Sequence, residues 1–343
     1  MRRPEADRAR LLDVAGALRG IRVAVIGDLV LDLYWVGRSH RISREAPVLI
    51  LEYEEERGVP GGAANAAMNV RALGGTPRLV GRIGADPEAA QLRRALRAGG
   101  LPTRWIQRDA AAGTVVKTRV LAGSRHAARQ QIVRLDRGHA TPLSPAIERA
   151  VARAAESAVR DADAVLLSDY GCGVLTARVR RAVLAAARTR RRPTIVDSRY
   201  ALRAYRKATL VTPNEHEVLE ALHLRSLGLP VLRRAGETLR RQIAADAVWI
   251  TRGSDGMLIL ERGRRPVRLS IVGSSDVADV TGAGDAVSAT AALALGAGAT
   301  QVEAAVLATY AASVVVMKRG TATVSAGELL EAIRTHPPPT VRA

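Results

Sequence analysis

Asp279-Val280-Thr281-Gly282-Ala283-Gly284-Asp285, running straight into Ala286-Val287-Ser288-Ala289-Thr290-Ala291-Ala292-Leu293-Ala294, is the stretch whose reading decides the fold. A turn of small residues precedes an Ala-rich run that propagates well as a helix. The first N–H groups of a helix are unpaired and carry partial positive charge, so this start is a natural anion site. Gly282 and Gly284 let the backbone approach a phosphate closely. Two readings of Asp285 stand side by side. It is a helix N-cap, since Asp is a preferred capping residue, or it is a general base beside an anion hole formed by Gly282, Ala283 and Gly284.

Working outward, strand after strand ends in a polar residue or glycine. Ile21-Arg22-Val23-Ala24-Val25-Ile26-Gly27 is a β-branched run with Asp28 and Asp32 beyond its end. Ala164 to Ser168 ends at Asp169 and Tyr170, Pro193 to Val196 at Asp197, Ala208 to Thr212 at Pro213-Asn214, and Ala247 to Thr251 at Arg252-Gly253-Ser254-Asp255-Gly256. Helical segments intervene, so the pattern predicts an α/β fold: a doubly wound, mostly parallel sheet flanked by helices, with ligands along one edge. Pro60-Gly61-Gly62-Ala63-Ala64-Asn65 opens one of these helices. Gly61 and Gly62 either serve a loop needing positive φ or crowd the backbone against a ligand, with Asn65 presenting its amide. From Thr103 to Asp136 short alternating runs interrupt the pattern and predict antiparallel strands forming a small β lid. The expected organisation is one domain over residues 18–337, with lid segments at about 33–57 and 103–137 and tails at 1–17 and 338–343.

Composition narrows the classes. The 343 residues are 48% hydrophobic but only 3% aromatic, with no Phe, so Ala, Val, Leu and Ile must build the core. No apolar run reaches the roughly eighteen residues of a membrane span. The start Met1-Arg2-Arg3-Pro4 has no apolar segment of a secretory signal behind it, and the lone Cys172 suits a reducing compartment; a cytoplasmic protein is expected. The net charge of +19 comes almost wholly from arginine, with lysine only at 117, 207 and 318. No helix-turn-helix, zinc-finger or aromatic-plus-basic motif accompanies it, which argues against specific nucleic-acid binding and suits anionic small substrates.

Absent motifs exclude more. There is no G-x-x-x-x-G-K-[ST] and no G-x-G-x-x-G after the first strand, so neither an ordinary P-loop nor a nicotinamide site is expected. His216-Glu217 has no second His four residues on, and one Cys cannot build a thiolate zinc site. Asn214-Glu215-His216-Glu217 reads equally as a cap with acidic first-turn residues or as oxygen ligands that hold magnesium through water.

Together these pieces resemble the ribokinase-like (PfkB) carbohydrate kinases. Their amino-terminal signature is matched by Gly61, Gly62, Asn65, Gly74 and Gly84, and their carboxyl-terminal signature by Asp279 through Asp285 with Ala289 beyond. Between them stand the Asn-x-x-Glu pair, Asn214 and Glu217, and a Thr-x-Gly-x-x-Gly-like nucleotide loop containing Thr251, Gly253 and Gly256. The resemblance implies ATP and Mg2+, with magnesium near Asn214 and Glu217, Asp285 as base, and potassium near Asp279 and Gly320. It further implies a sugar over Gly61, Gly62 and Asn65, contacted by Asp28, Asp32 and Asp169, and a homodimer through the lid.

A narrower resemblance is to kinases of D-glycero-D-manno-heptose 7-phosphate. It rests on Tyr34-Trp35-Val36-Gly37, Arg41 to Val48, Pro60 to Asn69, Thr118-Arg119-Val120-Leu121, Ser168-Asp169-Tyr170 and Gly320 to Ser325. It implies phosphorylation at C1 of a sugar that already bears a phosphate, paired by arginines such as Arg41, Arg119, Arg134 and Arg199. Many such kinases are fused to a nucleotidylyltransferase; without a His-x-Gly-His, this chain is expected to be a stand-alone kinase. Asp32-Leu33-Tyr34, Cys172 and Asp197-Ser198-Arg199 depart from the pattern, which has Asp-Arg-Tyr, a nearby Lys and Asp-Pro-Lys. The alternatives are a kinase of another sugar, sugar phosphate or nucleoside, and a non-enzymatic nucleic-acid-binding protein on a kinase scaffold.

Overall fold

The computed structural model describes residues 7–123, 129–138, 141–225, 228–273 and 277–342. The chain begins with α1 (Arg8–Ala17), β1 (Arg22–Gly27), β2 (Leu29–Ile42) and β3 (Leu49–Gly62). Next come α2 (Ala63–Ala72), β4 (Thr76–Ile83), α3 (Pro87–Ala98), β5 (Ile106–Arg108), β6 (Val115–Gly123) and β7 (Gln130–Arg137). The middle holds α4 (Pro145–Arg160), β8 (Ala164–Asp169), α5 (Ala177–Thr189), β9 (Thr194–Ser198), β10 (Leu210–Val211) and α6 (Glu215–Ala221). Then follow α7 (Leu229–Ile243), β11 (Ala247–Thr251), β12 (Met257–Glu261) and β13 (Val267–Leu269). The chain closes with α8 (Ala283–Gly296), α9 (Gln301–Val315), α10 (Ala326–Thr335) and β14 (Val341–Arg342).

A 10-stranded sheet takes the order β14-β13-β12-β11-β10-β9-β8-β1-β4-β5. The strands from β11 to β5 run parallel, and β12, β13 and β14 extend the other edge in antiparallel pairs. The central strands are apolar on both faces because helices cover both. Val23 and Val25 of β1 face one core with Leu166, Ile195 and Trp249; Ala24 and Ile26 face the other with Leu167, Val196 and Ile250. This period-2 division is what a doubly wound sheet requires of its sequence. With no Phe to fill space, Trp249, Tyr205 and Tyr310 are the largest fully buried side chains.

The lid is a second, 4-stranded sheet ordered β3-β2-β6-β7. β2 pairs antiparallel with β3 and parallel with β6, joining two segments far apart in sequence. Four expected boundaries change. Residues 8–17 of the expected tail form α1, an amphipathic helix whose Leu11, Val14 and Ala15 are buried in the core. Val341–Arg342 of the other tail pair with β13. Ile106–Arg108, expected in the lid, instead pair with β4 in the main sheet, and β2 and β3 run longer than the expected first lid segment. Residues 1–6, 124–128 and 343 of these expected segments lie outside the described residues.

Candidate active site

The anion-hole turn is built as its glycines require. Gly282 precedes α8 at φ 83°, and a Cβ there would meet Asn65 Nδ2 at 2.9 Å, so both conformation and space demand glycine. Gly284 is exposed, and a Cβ there would meet only Asp197 Oδ2 at 3.8 Å. Small size at Gly284 therefore serves open space beside the helix start. α8 itself is buried from Asp285 to Ala294.

Asp285 is not the cap of this helix; no side chain caps α8. Its carboxylate, on a residue 3% exposed, takes one hydrogen bond at each oxygen: Asn65 Nδ2 donates to Oδ2 at 2.8 Å and the Tyr170 hydroxyl to Oδ1 at 2.9 Å. Burial pushes its pKa up to about 7, against the two hydrogen bonds, which favour the ionised form. That is the range in which a carboxylate both takes and gives up a proton. Asn65 is placed by α2, where Asn69 Nδ2 donates to its carbonyl at 3.1 Å.

The lid brings other expected residues to the same place. Asp32 on β2 accepts from Arg119 on β6 and, at 2.7 Å, from the Thr321 hydroxyl. Gly61 packs so tightly on this carboxylate that a Cβ would come within 2.4 Å of Asp32 Oδ2. Gly62 starts α2 at φ 58°, and a Cβ there would meet the Asp28 carbonyl at 2.7 Å. Lys117, beside Asp32 in the β2–β6 register, makes no ion pair among the described residues; its ammonium lies 4.9 Å from the centroid of the Tyr170 ring. Burial pulls its pKa down, although Asp32 pulls the other way. Arg119 and Arg134 stand opposite each other on one lid face, but Arg134 lies at the outer strand, paired with Asp136 at 2.9 Å. Arg41 is exposed at the far end of β2.

Two residues expected as sugar contacts also hold the framework. Asp28, 1% exposed, accepts the backbone N–H groups of Tyr170, Cys172 and Val174, pinning the loop after β8. Asp169 accepts from the hydroxyls of Ser198 and Tyr205 and from the Gly171 N–H. Both carboxylates spend their oxygens on holding strand ends together.

Asn214, Glu217, Thr251 and Gly284 line one cleft of about 140 Å³ with Asp169, Tyr170, Asp197, Arg199 and Thr212. Asn214 and Glu217 form a capping box at α6, so the bland reading of this pair is realised. Glu217 keeps Oε1 free of the box, whereas the single Asn214 side-chain oxygen is used in it, and burial raises the Glu217 pKa, against the Asn214 N–H. Asp197 is raised well above its usual range by burial and by the Asp285 and Glu217 charges. Two carboxylates so disfavoured fit a divalent cation between them, held through water. A wider cavity of about 390 Å³ adjoins the cleft and shares Arg199 and Glu217. In the loop after β11, Gly253 takes φ 54° on an open side, whereas a Cβ at Gly256 would strike the Leu269 carbonyl at 2.0 Å. Asp279 accepts the N–H groups of Thr281 and Gly320, each at 2.9 Å, and so ties the anion-hole turn to the loop that contacts the lid. Among the described residues, no group of three or more His, Cys, Asp and Glu side chains could hold a metal by itself. No helix among them is long and apolar enough to cross a membrane.

Glycine-led helix starts pointed to Asp285 and Asn65 and a strand end to Asp32, but Tyr170, Lys117, Asp197 and Thr321 were given no role. Tyr170 and Asp197 follow or end strands at the sheet edge where ligands lie, and that position was the available signal.

A ribokinase-like sheet, a glycine-lined helix start with a buried carboxylate, and a lid define a sugar kinase. Solved structures share the fold: Arabidopsis thaliana ribokinase complexed with ribose and ATP has a TM-score of 0.71 at 19% identity, covering 92% of this chain and 99% of that one. Escherichia coli phosphofructokinase-2 in complex with potassium has a TM-score of 0.72 at 19% identity, covering 92% and 98%. The chain belongs to the pfkB family of carbohydrate kinases, whose pattern it matches over residues 21–326. It is similar to the bifunctional protein HldE of Gluconobacter oxydans, 42% identical over 321 residues, and to that of Azorhizobium caulinodans, 43% identical over 314. These alignments cover 93% and 91% of this chain but 66% and 64% of the relatives, so the chain spans about two thirds of their length.

Proposed function

We propose that the chain transfers the γ-phosphate of ATP to the C1 hydroxyl of a heptose 7-phosphate, with Asp285 as the base. The observation that carries the chemistry is the Asp285 carboxylate, buried at the start of α8, held at both oxygens and brought to a pKa of about 7. The acceptor lies over Gly61, Gly62 and Asn65 against Asp32. As its oxygen bonds to the γ-phosphorus and the bond to ADP breaks, its proton passes to Asp285. The N–H groups of Gly282 and Gly284 receive the charge on the migrating phosphoryl group, joined by that of Ala283 once it leaves the Val280 carbonyl to which it donates at 3.2 Å. Thr251, Gly253 and Gly256 shape the nucleotide loop. Asn214 and Glu217, with Asp197 across the cleft, would hold magnesium through water, where it shields phosphate charge. Potassium beside Asp279 and Gly320 would brace the turn that those residues already link.

The phosphorylated acceptor is supported by Lys117, a partly buried cation over the ring of Tyr170, itself a cleft residue, with no ion-pair partner among the described residues. It takes the part expected of Arg134, while Arg119 is occupied by Asp32. The similarity to HldE proteins supports the heptose. Self-association with a second copy is the corresponding proposal for the lid, whose other face exposes Trp35, Val133 and Leu135. ATP consumption measured with heptose 7-phosphate, the free heptose, fructose 6-phosphate, ribose and adenosine tests the substrate. Efficient turnover of the phosphorylated heptose alone is expected; equal efficiency on a sugar and its phosphate would overturn the assignment.

A further inference from the structure

Tyr170 stands between the two halves of the site. The Asp28 carboxylate fixes its backbone N–H at 2.9 Å and also holds Cys172 and Val174, so the loop carrying the ring is pinned along its length. The Lys117 ammonium lies 4.9 Å from the ring centroid. A Cβ at Gly62 would come within 3.4 Å of Tyr170 Cδ2, which makes the start of α2 a further wall. The ring lines the cleft that contains Asn214, Glu217 and Gly284, and its hydroxyl reaches Asp285 Oδ1 at 2.9 Å.

We propose that Tyr170 is a positioning residue for phosphoryl transfer, its hydroxyl holding the Asp285 carboxylate in one orientation and in the ionised form. This rests on the reading of Asp285 as the base. A carboxylate out of water favours its neutral form, and a neutral acid cannot take the acceptor's proton. The charged groups around Asp285 come from several elements: Asp32 on β2 disfavours ionisation, Lys117 on β6 favours it, and Asp197 on β9 is a further acidic neighbour. Only Asn65 and Tyr170 donate hydrogen bonds to it among the described residues. The Asn65 side-chain oxygen in turn accepts from Asn69 Nδ2 at 3.4 Å within α2. Burial, with the Asp285 and Asp197 charges, holds the Tyr170 phenol well above its usual pKa, so it remains a donor throughout the working range. It therefore does not compete for the acceptor's proton. Its bond also occupies one direction at Oδ1 and restricts rotation of the carboxylate.

Tyr170→Phe removes this donor and keeps the ring, its packing and the Lys117 contact. The experiment is the pH dependence of kcat for Tyr170→Phe and the unaltered chain from pH 5.5 to 9.5, with a thermal melt of each. Loss of a hydrogen bond to a charged group is expected to raise the acidic limb by about one pH unit or more. Turnover then falls roughly five- to twentyfold at pH 7 and under about twofold at pH 9. An unmoved limb overturns the proposal, whether turnover is unchanged or falls equally at every pH. Should Tyr170→Phe not fold, Tyr170→3-fluorotyrosine preserves the shape with a stronger donor. Its limb must then move to lower pH, and an unmoved limb again overturns the proposal. Asp285→Asn separates the two readings. Full turnover in that variant removes the base and with it this role of Tyr170, whereas its inactivity beside an unmoved limb in Tyr170→Phe removes Tyr170 alone.

Discussion

Asp285→Asn tests stability and catalysis in opposite directions. An unfolded Asp ionises near pH 4, whereas Asp285 in the fold does so at about 7 because it is buried. Between those values the folded chain retains a proton that the unfolded chain has lost, so this group's contribution to stability falls as pH rises through the window and is level above it. At about 1.4 kcal/mol per pH unit over roughly three units, the ionised carboxylate costs up to about 4 kcal/mol at pH 8. Asn cannot ionise and escapes that cost, but its NH2 replaces one of the two oxygens to which Asn65 and Tyr170 separately donate, so one of those bonds is lost in this geometry. The expected net result at pH 8 is a melting temperature equal to the unaltered chain's or a few degrees higher. The difference should shrink at pH 5, where Asp285 is already protonated. Turnover should fall by roughly two to four powers of ten, the span of general-base catalysis, while nucleotide titration is unchanged. Melts at both pH values, a binding titration and a turnover assay provide the readings. Turnover within twofold of normal, or a variant clearly less stable at pH 8 than the unaltered chain, would refute the reasoning.

Gly284→Val should melt within about 1 kcal/mol of the original, since a Cβ there meets only Asp197 at 3.8 Å, yet lose most turnover by filling the space assigned to the migrating phosphoryl group. Retained turnover would return that turn to a purely structural role. Gly256→Ala should do the reverse: with φ 82° and the Leu269 carbonyl 2.0 Å from the new Cβ, destabilisation of about 2 kcal/mol or more is expected in chemical denaturation. Sedimentation velocity of Leu135→Glu should show a lower association state if the exposed face of the lid joins two copies, and no change if it does not.

What was legible in the sequence was local or periodic. Gly62 announces its positive φ because few other residues accept it, and the apolar runs ending at Gly27, Asp169 and Thr251 mark strands on their own. What was not legible depends on who meets whom. Asp285 looked like a cap because its neighbours in sequence say helix start; that it accepts from Asn65 and Tyr170, 220 and 115 residues away, is a fact of the closed fold. Asp28 and Asp169 sit at the ligand edge as expected, yet their oxygens are taken by the Tyr170–Val174 loop and by Ser198 and Tyr205. The arginines could not be ranked by type alone: Arg119 and Arg134 each found a carboxylate, whereas Arg199 lines the cleft and Lys117, over the Tyr170 ring, makes no ion pair among the described residues. α1 escaped notice because its short apolar stripe is weak and its buried contacts lie on helices near the other end of the chain.

The burial of α8 on all sides has a consequence for how this enzyme fails under heat. A helix encased from Asp285 to Ala294 by α2, α9 and the central strands has no partner it can shed alone. Its opening free energy is that of the whole domain, so its amide hydrogens should exchange only through global unfolding. The lid, a sheet with an exposed face, can open at far lower cost. Warming should therefore slow substrate capture well before it disturbs the chemistry, and the base should be among the last parts of the molecule to lose its place.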